Sequence, residues 1–287
     1  MEYIVGKTAG FCFGVKNAVE GAKKRLEEDK NMCCLGEIVH NKEVVKSLED
    51  MGMMFIENLE ENTNQKNTII RAHGVSKKVY EEAENKNIKL IDLTCPFVLK
   101  IHKIVSEYQQ KGYYIFVIGA KEHPETIGTT GFCGNYFDVI EEKEDIKNAV
   151  EKFKKTGMNK ILVVVQTTFK LEKFNDYTNE IKNKIADNNV EIKIENTICL
   201  ATKERQEETD NISKVVDYMI IIGGKNSSNT KKLYEIAQKN CKETVCIETV
   251  GDINIDDLSN KKLVGIMAGA STPQSSIDEV IDLVKNT

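Results

Sequence analysis

Three separated pairs of segments in this chain share one offset of 104 residues, and that repeat constrains the fold more than any other feature. IKLIDLTC (88–95) matches IKIENTIC (192–199), and both end in cysteine. YIFVIGAKEHPE (114–125) matches YMIIIGGKNSSN (218–229), sharing Tyr, Gly and Lys in register. ILVVVQTT (161–168) matches GIMAGAST (265–272) in kind, a strand running into small polar residues. A third copy lies 83 residues earlier, where Cys12, Gly36 and His40 align with Cys95, Gly119 and His123, and TIIRAHG (68–74) supplies its remaining strand. Matched segments at shared offsets mark an internal repeat, and the chain reads as three α/β units.

Short β-branched runs alternate with helical patterns along the chain, the signature of α/β units with parallel strands. Strands are expected at 3–5, 69–71, 88–93, 113–118, 161–165, 190–194, 219–222 and 263–267. Val15, Ala18, Val19, Ala22 and Leu26 form one helical apolar face, and Val98, Ile101, Val105 and Tyr108 another. The expected fold is therefore α/β, with three pseudo-symmetric units and mainly parallel sheets around a central site. The expected boundaries are an N-terminal strand and first cysteine at 1–13, then units at 14–95, 96–192 and 193–287.

Each unit contributes three motifs in the same order. The first supplies Cys12, Cys95 and Cys199. The second supplies His40, then His123 with Glu125, then Ser227, Ser228 and Asn229. The third supplies His73, then Gln166 with Thr167, then Ser271 with Thr272. Residues just past the carboxyl ends of parallel strands line ligand crevices. Units packed about a pseudo-threefold axis would bring the three cysteines to one point, ringed by these polar groups.

Composition narrows the chemistry. The 287 residues carry 40 basic and 45 acidic side chains, a net charge of −5, which argues against bulk nucleic-acid binding. No apolar run approaches the roughly 18–20 residues of a membrane helix, and MEYIVGK lacks the pattern of a secretory signal. A cytoplasmic protein with reduced thiols is expected. The eight cysteines contain no CxxC pair, so any metal site must be assembled from distant parts of the chain. Three converging thiolates suit a soft metal, and a cluster held by three leaves one iron open to a ligand. Cys33, Cys34, Cys133, Cys241 and Cys246 have no repeat mates and are expected in core or surface positions. His102, inside a helical pattern, is expected to be an ordinary helix residue.

The polar loops also open helices. Thr272-Pro273 reads as an N-cap followed by proline at the first helical position. Several helix N-termini facing one pocket would bind an anion. With neither a Walker A sequence nor a dinucleotide glycine fingerprint, a small phosphate ester or diphosphate fits better than a nucleotide. Glu125 is the one carboxylate in the set. Beside an anionic ligand its pKa should rise, making it a general acid, with Thr167 positioning the proton.

AGFCFGV (9–15), GEIVHN (36–41), RAHGV (71–75), DLTCPFV (92–98), HPE (123–125), QTT (166–168), NTICLATKERQ (196–206), SSN (227–229) and GAS (269–271) together resemble the 4-hydroxy-3-methylbut-2-enyl diphosphate reductase family, in that family's order and over nearly the whole chain. The resemblance implies a [4Fe–4S] cluster on Cys12, Cys95 and Cys199. It implies diphosphate binding by His40, His73, Ser227, Ser228, Asn229 and Ser271, with His123, Thr167 and Glu125 near the substrate hydroxyl and Glu125 as proton source. It further implies a reductive dehydroxylation fed by a separate donor such as ferredoxin or flavodoxin. Glu37, Leu93 and Thr230 depart from the residues expected in many members; none is an assigned ligand or acid. Two other classes stay open on the residues: a metal-dependent phosphate-ester hydrolase using the histidines and Glu125 as a zinc site, and a non-catalytic iron–sulfur sensor.

Overall fold

The computed structural model describes residues 1–64, 66–186 and 189–287. In chain order, β1 (Glu2–Val5) leads into α1 (Phe13–Glu28), followed by β2 (Met32–Leu35), α2 (Lys42–Asp50), β3 (Met54–Ile56), β4 (Asn67–Ile70), α3 (Lys77–Asn85) and β5 (Leu90–Asp92). Then come α4 (Pro96–Gln110), β6 (Tyr114–Ile118), α5 (Pro124–Thr130), β7 (Phe137–Ile140), α6 (Asp145–Lys155), β8 (Lys160–Val165), α7 (Leu171–Ile185) and β9 (Glu191–Ile194). The last part holds α8 (Leu200–Ser213), β10 (Tyr218–Ile222), α9 (Ser228–Asn240), β11 (Thr244–Ile247), β12 (Leu263–Ala268) and α10 (Gln274–Asn286).

Among the described residues these strands form three four-stranded sheets, ordered β3-β2-β4-β5, β7-β6-β8-β9 and β11-β10-β12-β1, with parallel pairing throughout. The three orders are one topology. In the third sheet the fourth place is taken by β1, whose Tyr3 and Ile4 lie beside Val264 and Gly265. The α/β class with three parallel-sheet units is therefore present. The expected boundary at 192 falls inside β9, and the N-terminal strand set apart as 1–13 is an integral strand of the sheet built from 218–268.

The strands that read clearly in the sequence are mostly the central ones. Parallel sheets are covered on both faces, so their inner strands are continuous apolar runs, and β6 and β10 are buried at every position. Their alternate residues serve two different cores, as a period of two requires. Tyr114, Phe116 and Ile118 pack with Phe153, Phe174 and Ile181, whereas Ile115 and Val117 pack with Ile101 and Val105. In the third sheet, Ile220 and Ile222 pack with Ile277, Val280 and Val284, whereas Met219 and Ile221 pack with Leu233 and Ala237. Four strands fall outside the expected set. β3, β7 and β11 are short edge strands, and β2 (MCCL) has no β-branched residue to mark it.

By contact density the chain divides into two compact units. One comprises Met1–Glu20, Val39–Met51 and Cys199–Thr287, which hold the third sheet; the other comprises Gly21–Ile38 and Gly52–Ile198, which hold the first and second. In the second unit, Gly74 has φ +73° and a Cβ there would come within 2.9 Å of the His102 ring. Glycine is required for both reasons. His102 is more than a routine helix residue: it is 4% exposed, stacks on Phe132 at 4.4 Å, and neither ring nitrogen has a partner among the described residues.

Burial lowers the His102 pKa from 6.5 to about 4. The folded state therefore refuses a proton that the unfolded chain accepts. The stability tied to the neutral ring is complete above about pH 6.5 and is lost as pH falls toward 4, by about 3 kcal/mol at the limit. Urea unfolding from pH 7 to pH 4 should show this acid slope in the parent and a slope shallower by about one proton in His102→Gln. Equal slopes would exclude His102 as its source.

Candidate active site

The repeat positions occupy equivalent places in the three sheets. His40 follows β2, His123 follows β6, and Ser227 to Asn229 follow β10. His73 follows β4, Thr167 follows β8, and Ser271 follows β12. Cys95, Cys199 and Cys12 follow β5, β9 and β1, the fourth strand of each sheet. All therefore lie at carboxyl ends, where parallel strands deliver loop residues to ligands.

The cysteines share a local structure. Cys95 and Cys199 are the N-caps of α4 and α8. The Cys12 carbonyl accepts from Lys16 N at the opening of α1. A sulfur in this position faces the positive end of the helix dipole and its unsatisfied N–H groups. Burial pushes the Cys199 thiol up, opposed by N–H donation from Ala201 and Thr202 and by Arg205. Among the described residues all eight cysteines are thiols; the three repeat cysteines are partly exposed, while Cys33, Cys34, Cys133 and Cys241 are buried. Burial pushes the Cys34 and Cys133 thiols up to about 12, so both stay protonated core residues as expected. Partly exposed thiols at helix N-termini are a donor set that fits an iron–sulfur group.

In the first unit three loops gather around His40. Ser271 Oγ donates to the His40 carbonyl at 3.2 Å. Gly224 approaches that carbonyl so closely that a Cβ would sit 2.6 Å from it. Ser227 caps α9, its hydroxyl accepting from Thr230 N, and Ser228 is the first residue of that helix. Asn229 is 3% exposed, and neither of its amide atoms has a partner among the described residues. An amide buried without partners loses stability unless a ligand or water satisfies it. Thr272 does not cap α10. Its hydroxyl donates to Ile222 O at 2.9 Å, tying the β12 loop to the end of β10, and Pro273 is itself the N-cap.

In the second unit, Cys95 N donates to Ala72 O at 3.0 Å, fastening the cysteine loop to the RAHGV segment. The rings of His73 and His123 meet edge to face, with centroids 5.3 Å apart. His123 caps α5, its Nδ1 accepting from Glu125 N at 3.2 Å, which leaves the ring proton of the neutral tautomer on Nε2. Glu125, 2% exposed, accepts from Thr167 N at 2.6 Å and from Thr167 Oγ at 2.7 Å. Burial raises the Glu125 pKa, and the two Thr167 hydrogen bonds pull against it. The expectation named an anionic ligand as the cause of the rise; in this structure burial suffices.

A parallel α/β chain with helix-capping cysteines, a buried carboxyl paired with a hydroxyl, and polar strand-end loops is an enzyme of the iron–sulfur oxidoreductase class. The LytB protein family model matches residues 4–285, and the chain belongs to that family. It is 45% identical to the 4-hydroxy-3-methylbut-2-enyl diphosphate reductase of Caldanaerobacter subterraneus subsp. tengcongensis, covering 100% of this chain and 97% of that one. It is 42% identical to the reductase of the same name from Clostridioides difficile, over 100% of both chains. Among solved structures, the Plasmodium falciparum E-1-hydroxy-2-methyl-but-2-enyl-4-diphosphate reductase is 31% identical, with a TM-score of 0.90 over 99% of this chain and 88% of that one. An (E)-4-hydroxy-3-methyl-but-2-enyl diphosphate reductase structure, described as the terminal enzyme of the non-mevalonate pathway, is 38% identical with a TM-score of 0.71 over 100% of both chains. No helix among the described residues is long and apolar enough to cross a membrane.

Glu125 yields a thermodynamic test. Its raised pKa means the folded state holds a proton at pH values where the unfolded chain releases it. The associated stability is present at low pH and is lost as pH rises through the folded value. Glu125→Gln keeps an acceptor for Thr167 N but cannot ionise. It should be more stable than the parent at pH 8, with the gap closing below about pH 4.5, the ordinary carboxyl range. Thermal melts at both pH values check this; a gap independent of pH would show that Glu125 does not titrate anomalously.

Proposed function

We propose that this chain reduces 4-hydroxy-3-methylbut-2-enyl diphosphate to isopentenyl diphosphate and dimethylallyl diphosphate, the last step of the methylerythritol phosphate route to isoprenoids. The substrate takes up two electrons and two protons, its allylic C–O bond breaks, and water leaves. The observation that carries this reading is the buried Glu125–Thr167 pair, placed at strand ends in a chain whose repeat cysteines all open helices. We assign Cys12, Cys95 and Cys199 as ligands of a [4Fe–4S] cluster. Such a cluster, when bound, supplies electrons and a Lewis-acidic iron against the hydroxyl, a poor leaving group on its own.

The remaining work falls to the chain. Burial keeps Glu125 protonated to higher pH than an ordinary carboxyl, so it has a proton to give as the C–O bond breaks. The Thr167 hydroxyl, 2.7 Å from that carboxyl, passes or orients the proton. His123 holds the first turn of α5, and with it Glu125, in register by accepting the Glu125 N–H. Asn229 offers its unpartnered amide to the diphosphate. Ser227, Ser228, Ser271, His40 and His73 offer hydroxyl and imidazole groups, and the α9 N-terminus adds main-chain donors. Electrons enter from a separate protein such as ferredoxin or flavodoxin, and eight cysteine thiols fit a reducing cytoplasm.

Anaerobically purified protein should be brown, hold about four irons and four sulfides per chain, and change its visible spectrum when the substrate is added. A colourless protein carrying zinc would overturn the reading. Glu125→Gln should keep cluster and substrate binding but lose at least about 10²-fold in kcat; full activity would remove Glu125 from the mechanism. Replacing Cys12, Cys95 or Cys199 with Ser should cost the cluster, whereas Cys241→Ser should not. Iron content decides between them.

A further inference from the structure

Helix α8 buries polar residues where a helix of this position would ordinarily bury apolar ones: Thr202, Arg205, Gln206, Thr209 and Ser213 join Ile212 on its inner side. Arg205 is the charged member. It is 4% exposed, and its guanidinium donates to Gly10 O at 2.7 Å and to Ala201 O at 3.0 Å, while Nε has no partner. Among the described residues no carboxylate lies within ion-pair distance of it. Glu208, three residues on, is committed elsewhere: it accepts from Lys7 N, Thr8 N and Thr8 Oγ at 2.7, 2.8 and 2.5 Å.

A cation taken out of water at a cost of several kcal/mol needs an opposing charge nearby. Gly10 is two residues before Cys12, and Ala201 is two residues after Cys199. Burial works against the charged guanidinium, and the neighbouring Cys12 and Cys199 sulfurs work in its favour. The carbonyls that Arg205 holds thus belong to the turns that carry those two cysteines. Together with the Glu208 contacts, α8 fastens the whole segment from Lys7 to Gly10 to the helix that opens at Cys199.

We propose that Arg205 is a positioning residue for Cys12 and Cys199: it ties their two loops together and supplies the fixed positive charge against which their thiolates, and the iron–sulfur group they hold, are stabilised. The inference rests on the ligand assignment made under Proposed function. Adding one electron from an external reductant makes that group one unit more negative while its thiolates stay the same in number. A fixed cation beside it therefore favours the reduced form. Arginine suits the role because its planar fork can bond two carbonyls and keep its charge.

The test is an anaerobic dithionite titration of reconstituted parent, Arg205→Gln and Arg205→Lys proteins, followed by visible absorption and electron paramagnetic resonance, alongside iron and sulfide content. Arg205→Gln should lower the equilibrium constant for reduction about tenfold, equivalent to about 59 mV for a one-electron couple. Arg205→Lys should recover most of that loss. A Gln variant that fails to hold the cluster beside a Lys variant that holds it also supports a requirement for charge. A Gln variant with the parent potential overturns the proposal, and so do Gln and Lys variants that shift the potential equally or lose the cluster alike. Parent protein that takes up no iron and sulfide overturns the ligand assignment and this inference with it, whereas the other failures leave that assignment standing.

Discussion

The parallel pairing of β1 with β12 is the interaction on which the first unit depends. It makes the first residues of the chain the fourth strand of a sheet whose other strands lie more than 200 residues away. Strand direction then decides where the chain goes next. Because β1 runs parallel to β12, its carboxyl end lies beside the end of β12, and Cys12 N reaches Ala270 O at 3.1 Å. Cys12 arrives next to the loop that carries Ser271, and the segment between Gly6 and Cys12 falls within reach of Glu208 and Arg205 on α8. Losing that one strand pairing would displace Cys12, the loop that carries Ser271 and the segment that Glu208 and Arg205 hold.

In the second unit the corresponding constraint is the burial of a carboxyl. Glu125 is 2% exposed, and its hydrogen bonds come from Thr167. Burying a charge is costly, so the carboxyl holds its proton to higher pH than an ordinary one. The arrangement rests on ordinary fold features: the end of β8 presents Thr167, and α5 presents Glu125 in its first turn, two residues after its His123 cap. Acidity and position therefore have one cause, the packing of a strand end against a helix start.

Repeat reading reached far into this chain because parallel α/β units place functional residues at fixed points of their topology. Cys12, Cys95 and Cys199 were found as mates at shared offsets, and the structure puts each after the fourth strand of a sheet. The strands missed were those whose residues say little: MCCL in β2 and the short edges β3, β7 and β11. Thr272 was read as a helix cap but bonds Ile222 O, because a hydroxyl near a helix start has more than one acceptor in reach. The burial of Arg205 is not legible in NTICLATKERQ, because a charged residue in mid-helix reads as solvated and α8 buries polar side chains in place of an apolar stripe.

The sequence by itself determined the α/β class, the repeat, the central strands and the identities of the residues at strand ends. These are properties of local pattern: β-branched runs, helical spacing and matched segments survive without knowledge of the fold. Only the tertiary structure decided that β1 completes the last sheet, that Glu125 bonds Thr167, that Asn229 is buried without a partner among the described residues and that Arg205 bonds the Gly10 carbonyl. The pairings among them join residues roughly 40 to 260 positions apart, and what joins them is the direction of parallel strands and the exclusion of water, neither of which is encoded at any single position.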